Sequence, residues 1–425
     1  MKNFWEKLTK IFKTKELRNK IYFVLGLLIV FRIAASIPVP GVDISRLRQF
    51  LSGNAVLGLF NLFSGGGLTH LSVVMLGVGP FITVEIIMQV LTIVFPRLEA
   101  MNKLEGEAGR QKFEQLVRYL AVPIAALQSL AMILFLRSPQ VGVIKDDSTF
   151  TLVMTVIAAT AGSMFLVWIG ELITEKNIGH GISIIIFAGI ISSLPSALRN
   201  AWINRAGNME VYLIFIIMTV LIIAGIIIIT EGQRNIPVFY ARRTGGQYGS
   251  AESHVPLRVN QAGMIPIIFA MSIMVLPRMY SQFFAQSKTV WLQKSAIWSG
   301  KFFGNMWIYG VIYFLMVIGF TYFYTAISFD PKQVADSLQK QGGFVPGVRQ
   351  GKPTADFLAF IMNRITLAGA LFLGMIAVLP FIGEAITKNQ SLTLGGAGIL
   401  IVVGVALEIM HQLNSQLVMR DYEGM

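Results

Sequence analysis

Ten runs of mostly apolar residues dominate this chain, each near the twenty or so residues that a helix needs to cross a hydrocarbon layer. They lie at residues 21–37, 71–95, 116–136, 151–170, 182–198, 211–230, 263–280, 307–328, 365–383 and 392–411. In lipid every backbone N–H and C=O must be satisfied within the protein, so runs of this length are expected to be helices. Composition agrees with a lipid solvent: 54% of the 425 residues are hydrophobic and 13% charged, where soluble domains carry roughly 25% charged residues. Pro80, Pro123, Pro195, Pro266 and Pro380 interrupt the runs, which bundles tolerate because neighbouring helices satisfy the freed groups. The basic segment 1–20 reads as a cytoplasmic amphipathic N-terminal segment. It is not read as a cleaved signal, since it is long and many apolar runs follow.

Ten spans put both termini on one side. About two-thirds of the 35 lysines and arginines fall on that side, in 1–20, 96–118, 231–260 and 329–364, at Lys176 and at Arg420. The positive-inside rule makes it the cytoplasm. Two of the connections there, 231–260 and 329–363, exceed the usual loop length and are expected to be functional.

No local catalytic pattern occurs. The chain lacks a G-x-x-x-x-G-K-[ST] phosphate loop, H-E-x-x-H, G-x-S-x-G and G-x-G-x-x-G, so ATP hydrolysis, zinc proteolysis and dinucleotide binding have no carrier. There is no cysteine, which removes disulfides and thiolate metal sites. No cofactor and no metal are expected. Charged groups at membrane depth are the remaining clue. These are Arg32, Glu85 and Glu408, with Glu171 and Glu384 near span ends. They do not form the partnered midplane constellation that a small-solute transporter requires.

A series of short motifs runs along almost the whole chain. It comprises Phe31-Arg32-Ile33, Ile37-Pro38-Val39-Pro40-Gly41-Val42-Asp43, Phe60-Asn61-Leu62-Phe63-Ser64-Gly65-Gly66 and Gly79-Pro80-Phe81-Ile82. It continues with Gly181-Ile182-Ser183-Ile184-Ile185-Ile186-Phe187-Ala188-Gly189-Ile190, Val259-Asn260-Gln261-Ala262-Gly263-Met264-Ile265-Pro266 and Gly343-Phe344-Val345-Pro346-Gly347-Val348-Arg349. In order and spacing these resemble the SecY/Sec61-alpha family of protein-conducting channels. The resemblance implies an all-α membrane protein of ten transmembrane helices. Two pseudo-symmetric five-helix halves, 21–200 and 201–425, would enclose a central pore in the bacterial inner membrane.

The resemblance also assigns roles. A pore ring would comprise Ile82, Ile86, Ile186, Ile190, Ile268 and Ile401. Pattern alone favours plain packing or lipid contact for isoleucines in spans, although Ile82/Ile86 and Ile186/Ile190 each share a helix face. Residues 57–70 would be the plug, carrying Asn61, Phe63, Ser64, Gly65, Gly66 and Gly67; by composition alone they could equally be a surface loop. A lateral exit for signal sequences and membrane helices would open between spans two and three and spans seven and eight. Glu85, one residue before Ile86, departs from the small polar residue expected there. Arg242, Arg243 and Arg349 would dock the SecA motor ATPase and the ribosome with its rRNA, although such arginines also suffice to set topology. Further implied partners are SecE-like and SecG-like small membrane subunits, nascent chains and membrane lipid.

Overall fold

A computed structural model gives the structure of residues 13–39, 47, 61, 64–101, 105–137, 142–144, 148–203, 209–240, 251–285, 289–387 and 390–423. Ten helices lie on the ten apolar runs. They are α1 (Lys15–Ser36), α2 (Gly79–Val94), α3 (Gly106–Arg137), α4 (Thr149–Thr174), α5 (Gly181–Ile203), α6 (Met209–Glu231), α7 (Ile265–Phe284), α9 (Met306–Ser328), α11 (Lys352–Thr387) and α12 (Gln390–Glu423). Between them lie the helices α8 (Val290–Gly304) and α10 (Pro331–Lys340) and the strands β1 (Gln233–Tyr240), β2 (Ala251–Arg258) and β3 (Gly343–Phe344). Among the described residues, six helical stretches are long and apolar enough to cross a membrane. Four shorter apolar helices accompany them, at Gly79–Val94, Gly181–Ser193, Ile216–Glu231 and Ile265–Met274. Large apolar side chains point outward along the spans, among them Ile29, Ile93, Leu127, Ile157, Ile228 and Leu315. Apolar area on this scale is stable only against lipid, and the chain is a multi-pass membrane protein.

The second span starts later than its apolar run. Residues 71–78 are not helical. They are tied to the end of α1, where Val39 N–H donates to Leu71 O (2.9 Å) and Val73 N–H donates to Ile37 O (3.1 Å). Gly77 turns the chain at φ 58°, and Pro80 then opens α2 at a first-turn position where its missing N–H costs nothing.

Helix contacts divide the spans into two groups. In one, α1 packs on α4 and α5, α2 on α3 and α4, and α4 on both α3 and α5. In the other, α11 packs on α6, α9 and α12, α6 on α12, and α7 on α9. The groups meet along two seams, α5 against α12 and α2 with α3 against α7. One large apolar cluster is shared by both groups.

The two long connections carry secondary structure in their described residues. The first is an antiparallel hairpin in which Gln233 pairs with Arg258 and Tyr240 with Ala251. The second supplies α10, capped by Asp330 Oδ1 accepting from Lys332 and Gln333 N–H, and β3, which pairs with β1 through Phe239 and Phe344. Together they form a small sheet of order β2-β1-β3. Ile236, Val238 and Leu257 of the sheet join Leu338 of α10 and Leu358, Ile361 and Met362 of α11 in a separate apolar cluster. That packing explains why α11 begins at Lys352, well before its apolar run at residue 365.

Candidate functional site

The six isoleucines singled out from the sequence lie on four helices. Ile82 and Ile86 sit on α2, Ile186 and Ile190 on α5, Ile268 on α7 and Ile401 on α12. All six belong to the one shared cluster, and none is more than 4% exposed. The helices that carry them are those that meet across the two seams, α2 with α7 and α5 with α12. The seam at α5 is tight: a Cβ on Gly398 of α12 would lie 3.0 Å from Ile190 Cγ2. These buried isoleucines, drawn from helices of both groups, share one apolar cluster.

The glycine turn after residue 61 is seated against α1 and α5. Gly66 N–H donates to Asn61 O (2.9 Å) and Gly67 N–H to Ser64 O (3.2 Å). The Ser64 hydroxyl donates to Asn61 O and accepts from Leu68 N–H. Gly65 and Gly66 hold φ values of 64° and 85°, a left-handed conformation that glycine adopts without a Cβ clash. Space demands glycine too. A Cβ on Gly65 would come within 2.4 Å of Phe31 Cζ, and a Cβ on Gly189, the residue before Ile190, would lie 2.2 Å from Gly65 Cα. On the other flank Arg32 Nη1 donates to Gly65 O at 2.9 Å. The turn is therefore held between α1 and α5, with Gly189 as the floor and Arg32 as the clasp. Phe63 lies outside the described residues.

Among the residues expected to dock partners, Arg349 is exposed. It sits in the turn between β3 and α11, framed by Gly347 (φ 78°) and Gly351 (φ 85°). Its backbone is fixed, since its carbonyl accepts from Thr354 Oγ1 at 2.7 Å and Gln350 Nε2 donates to Gly343 O at 3.2 Å. An anchored backbone beneath an exposed guanidinium suits recognition of phosphate or carboxylate. Arg242 and Arg243 lie outside the described residues.

Arg32, Glu85, Glu171 and Glu408 have local partners; the side chain of Glu384 lies outside the described residues. Glu171 of α4 pairs with Arg118 of α3, Nε to Oε1 at 2.7 Å. Gln89 Nε2 donates to Glu85 Oε1 at 3.5 Å, one turn along α2. Glu408 accepts from the His180 backbone N–H. No group of His, Cys, Asp and Glu able to hold a metal occurs among the described residues.

Sequence reasoning did not find Gly189 as a contact residue, and it gave Arg32 no role. Arg32 was discoverable as a cation inside an apolar run. Gly189 carries no such mark, because its importance arises only when Gly65 is folded onto it.

Comparison with known proteins gives the same picture. The profile of the SecY family matches residues 72–410. The chain is 41% identical to the protein translocase subunit SecY of Streptomyces scabiei, over 98% of each chain. Its fold is similar to a structure described as showing that the plug domain of SecY stabilizes the closed state of the translocation channel and maintains a membrane seal. The TM-score there is 0.67, with 18% identity, covering 94% of this chain and 92% of the other. It is also similar to Sec61 in the canine ribosome-channel complex from the endoplasmic reticulum, with TM-score 0.60, 17% identity and coverage of 94% and 92%.

Proposed function

We propose how this chain works from one premise: it belongs to the SecY family. It is a channel subunit of a protein translocase, not an enzyme. In our reading, unfolded polypeptides cross the bilayer between the two helix groups, through the girdle of Ile82, Ile86, Ile186, Ile190, Ile268 and Ile401. The turn carrying Asn61, Ser64, Gly65, Gly66 and Gly67 is the seated end of a plug that must leave for the channel to open. The groups correspond to halves 21–200 and 201–425. The α2/α3–α7 seam, with α9 behind α7, is the lateral exit into lipid. It is the looser reading of the two seams to open, because the α5–α12 seam is backed by the plug turn resting on α5.

One observation carries this reading. A glycine turn is packed onto Gly189, the residue before Ile190, which belongs to the apolar cluster shared by both groups. Packing alone does not call for a left-handed double-glycine turn held between α1 and α5 beside that cluster. A removable stopper above an apolar constriction does.

The energy for transport comes from partners, since the chain has no nucleotide-binding loop. The likeness to a ribosome-bound channel supports the ribosome as one partner. We assign the SecA motor ATPase to the exposed Arg349 side, with Arg242 and Arg243, and small SecE-like and SecG-like subunits to the lipid-facing surface. The location is the bacterial inner membrane with both termini cytoplasmic, which the basic residues support. The test is reconstitution in liposomes with the motor ATPase and the small subunits. An unfolded precursor should become protected from added protease when ATP is supplied. Absence of protection, with small-solute uptake in its place, would refute the channel in favour of a transporter.

A further inference from the structure

At the end of the bundle opposite the β-sheet, α8 runs between α7 and α9 and packs on both. Its inner face is small and polar. Ala296 and Ser299 are buried, Ser299 Oγ donates to Pro277 O (3.1 Å), and Ser295 Oγ lies 2.7 Å from Tyr280 OH. Its outer face is different in kind. Trp291 is 74% and Trp298 64% exposed, Phe302 stacks on Trp298 at 5.1 Å, and Lys294 and Lys301 are both exposed. At 3.6 residues per turn these five side chains fall on one arc of the helix. Aromatic rings interleaved with lysines mark a helix lying in the membrane–water interface.

Directly after α8 the chain enters α9 at the mouth of an apolar crevice of about 360 Å³. Trp307, Val311 and Phe314 of α9 line one wall; Met375, Leu379 and Ile382 of α11 line the other. Trp307, Val311, Met375 and Ile382 are themselves open to the lipid side. Lys294 and Lys301 have no carboxylate near them in sequence, since residues 253–329 contain no Asp or Glu.

We infer that α8 and the α9–α11 crevice together form a binding site for one anionic phospholipid, its headgroup at Lys294 and Lys301 and an acyl chain between Val311 and Ile382. The crevice supplies apolar contact without polar selectivity, and the lysines supply the charge preference. The occupant is a lipid rather than a partner's transmembrane helix because the site joins a basic interfacial rim to a chain-width apolar slot. A helix would need a broad flat face and would leave the rim unmatched. Under the proposed orientation the site lies in the outer leaflet.

The chain contains no cysteine, so a single one can carry a fluorophore. Val311→Cys, labelled and reconstituted with the copurifying subunits, places a reporter in the crevice; Val153→Cys on the exposed face of α4 is the control. Each is titrated with brominated phosphatidylglycerol and with brominated phosphatidylcholine as quenchers. Quenching at position 311 should favour phosphatidylglycerol. The preference should fall about fivefold for each lysine removed in Lys294→Gln and Lys301→Gln, the value of one basic residue near an anionic surface. At position 153 the two lipids should quench alike. Equal quenching at both positions, or a preference at 311 that survives the double substitution, would overturn the site. Absence of quenching at 311 by either lipid would do the same, and would mark the crevice as filled by a protein helix. Ile382→Cys on the opposite wall repeats the test if the label at 311 blocks the slot.

Discussion

Replacing Gly189 by alanine tests how the turn is seated. The new Cβ would stand 2.2 Å from Gly65 Cα, whereas carbon atoms in contact settle at about 3.5–4.0 Å. One backbone must therefore retreat by about 1.5 Å. Helix α5 is wedged against α4 and α12, while the turn is held by the Arg32 clasp and its own internal bonds, so the turn is the part that gives way. Overpacking of this order costs about 1–3 kcal/mol, which corresponds to a roughly 5- to 150-fold shift from seated to unseated turn. The helix itself gains up to about 1 kcal/mol, because alanine replaces glycine in its interior. The fold should then be as stable as before while the seal is weaker. Ion leak from liposomes reads the seal, and thermal unfolding of the same preparation reads the fold. Gly26→Ala in α1 is the control, since a Cβ there meets nothing within 4 Å. Leak from Gly189→Ala equal to that from Gly26→Ala, with both proteins intact, would refute the reasoning.

Replacing two or more of the six girdle isoleucines by glycine should raise ion conductance in a planar bilayer, whereas valine should change little because size and apolarity are nearly kept; equal conductance would place the seal elsewhere. Arg349→Glu should leave stability within about 0.5 kcal/mol, as is usual for exposed positions, yet slow export driven by the motor ATPase. A normal export rate would remove the docking role. A cysteine at position 349 should resist an impermeant thiol reagent applied to intact cells and react once the membrane is opened; labelling from outside would invert the proposed orientation.

Much of the fold was legible because the bilayer imposes one length scale. Each of the ten apolar runs carries a helix, and the i, i+4 isoleucines of α2 and α5 do face one cluster. Where the reading failed, hydropathy was not the deciding force. Residues 71–78 are apolar enough to continue α2 but are taken up by backbone bonds to the end of α1 and by the Gly77 turn. Helix α8 escaped notice because its lysines and tryptophans balance, giving neither a span nor a soluble amphipathic pattern. The hairpin and β3 were hidden in connections whose charge suggested only function. Their order comes from Ile236, Val238 and Leu257 finding α10 and the extension of α11, contacts between segments far apart in sequence. The site was legible in the same measure. Motif and period singled out isoleucines that all fall in the shared cluster, whereas Arg32 stood only as an unexplained charge and Gly189 carried no signal.

The path of the polypeptide is the most direct test of the whole account. A precursor arrested midway by a bulky folded domain, and carrying a photo-crosslinker at the arrested position, should mark the channel from within. Adducts should form at Ile82 and Ile186 in one helix group and at Ile268 and Ile401 in the other, from the same crosslinker position, and should vanish when the precursor is released. Adducts confined to outward positions such as Ile157 or Leu315, with none on the girdle, would show that the chain does not pass between the groups.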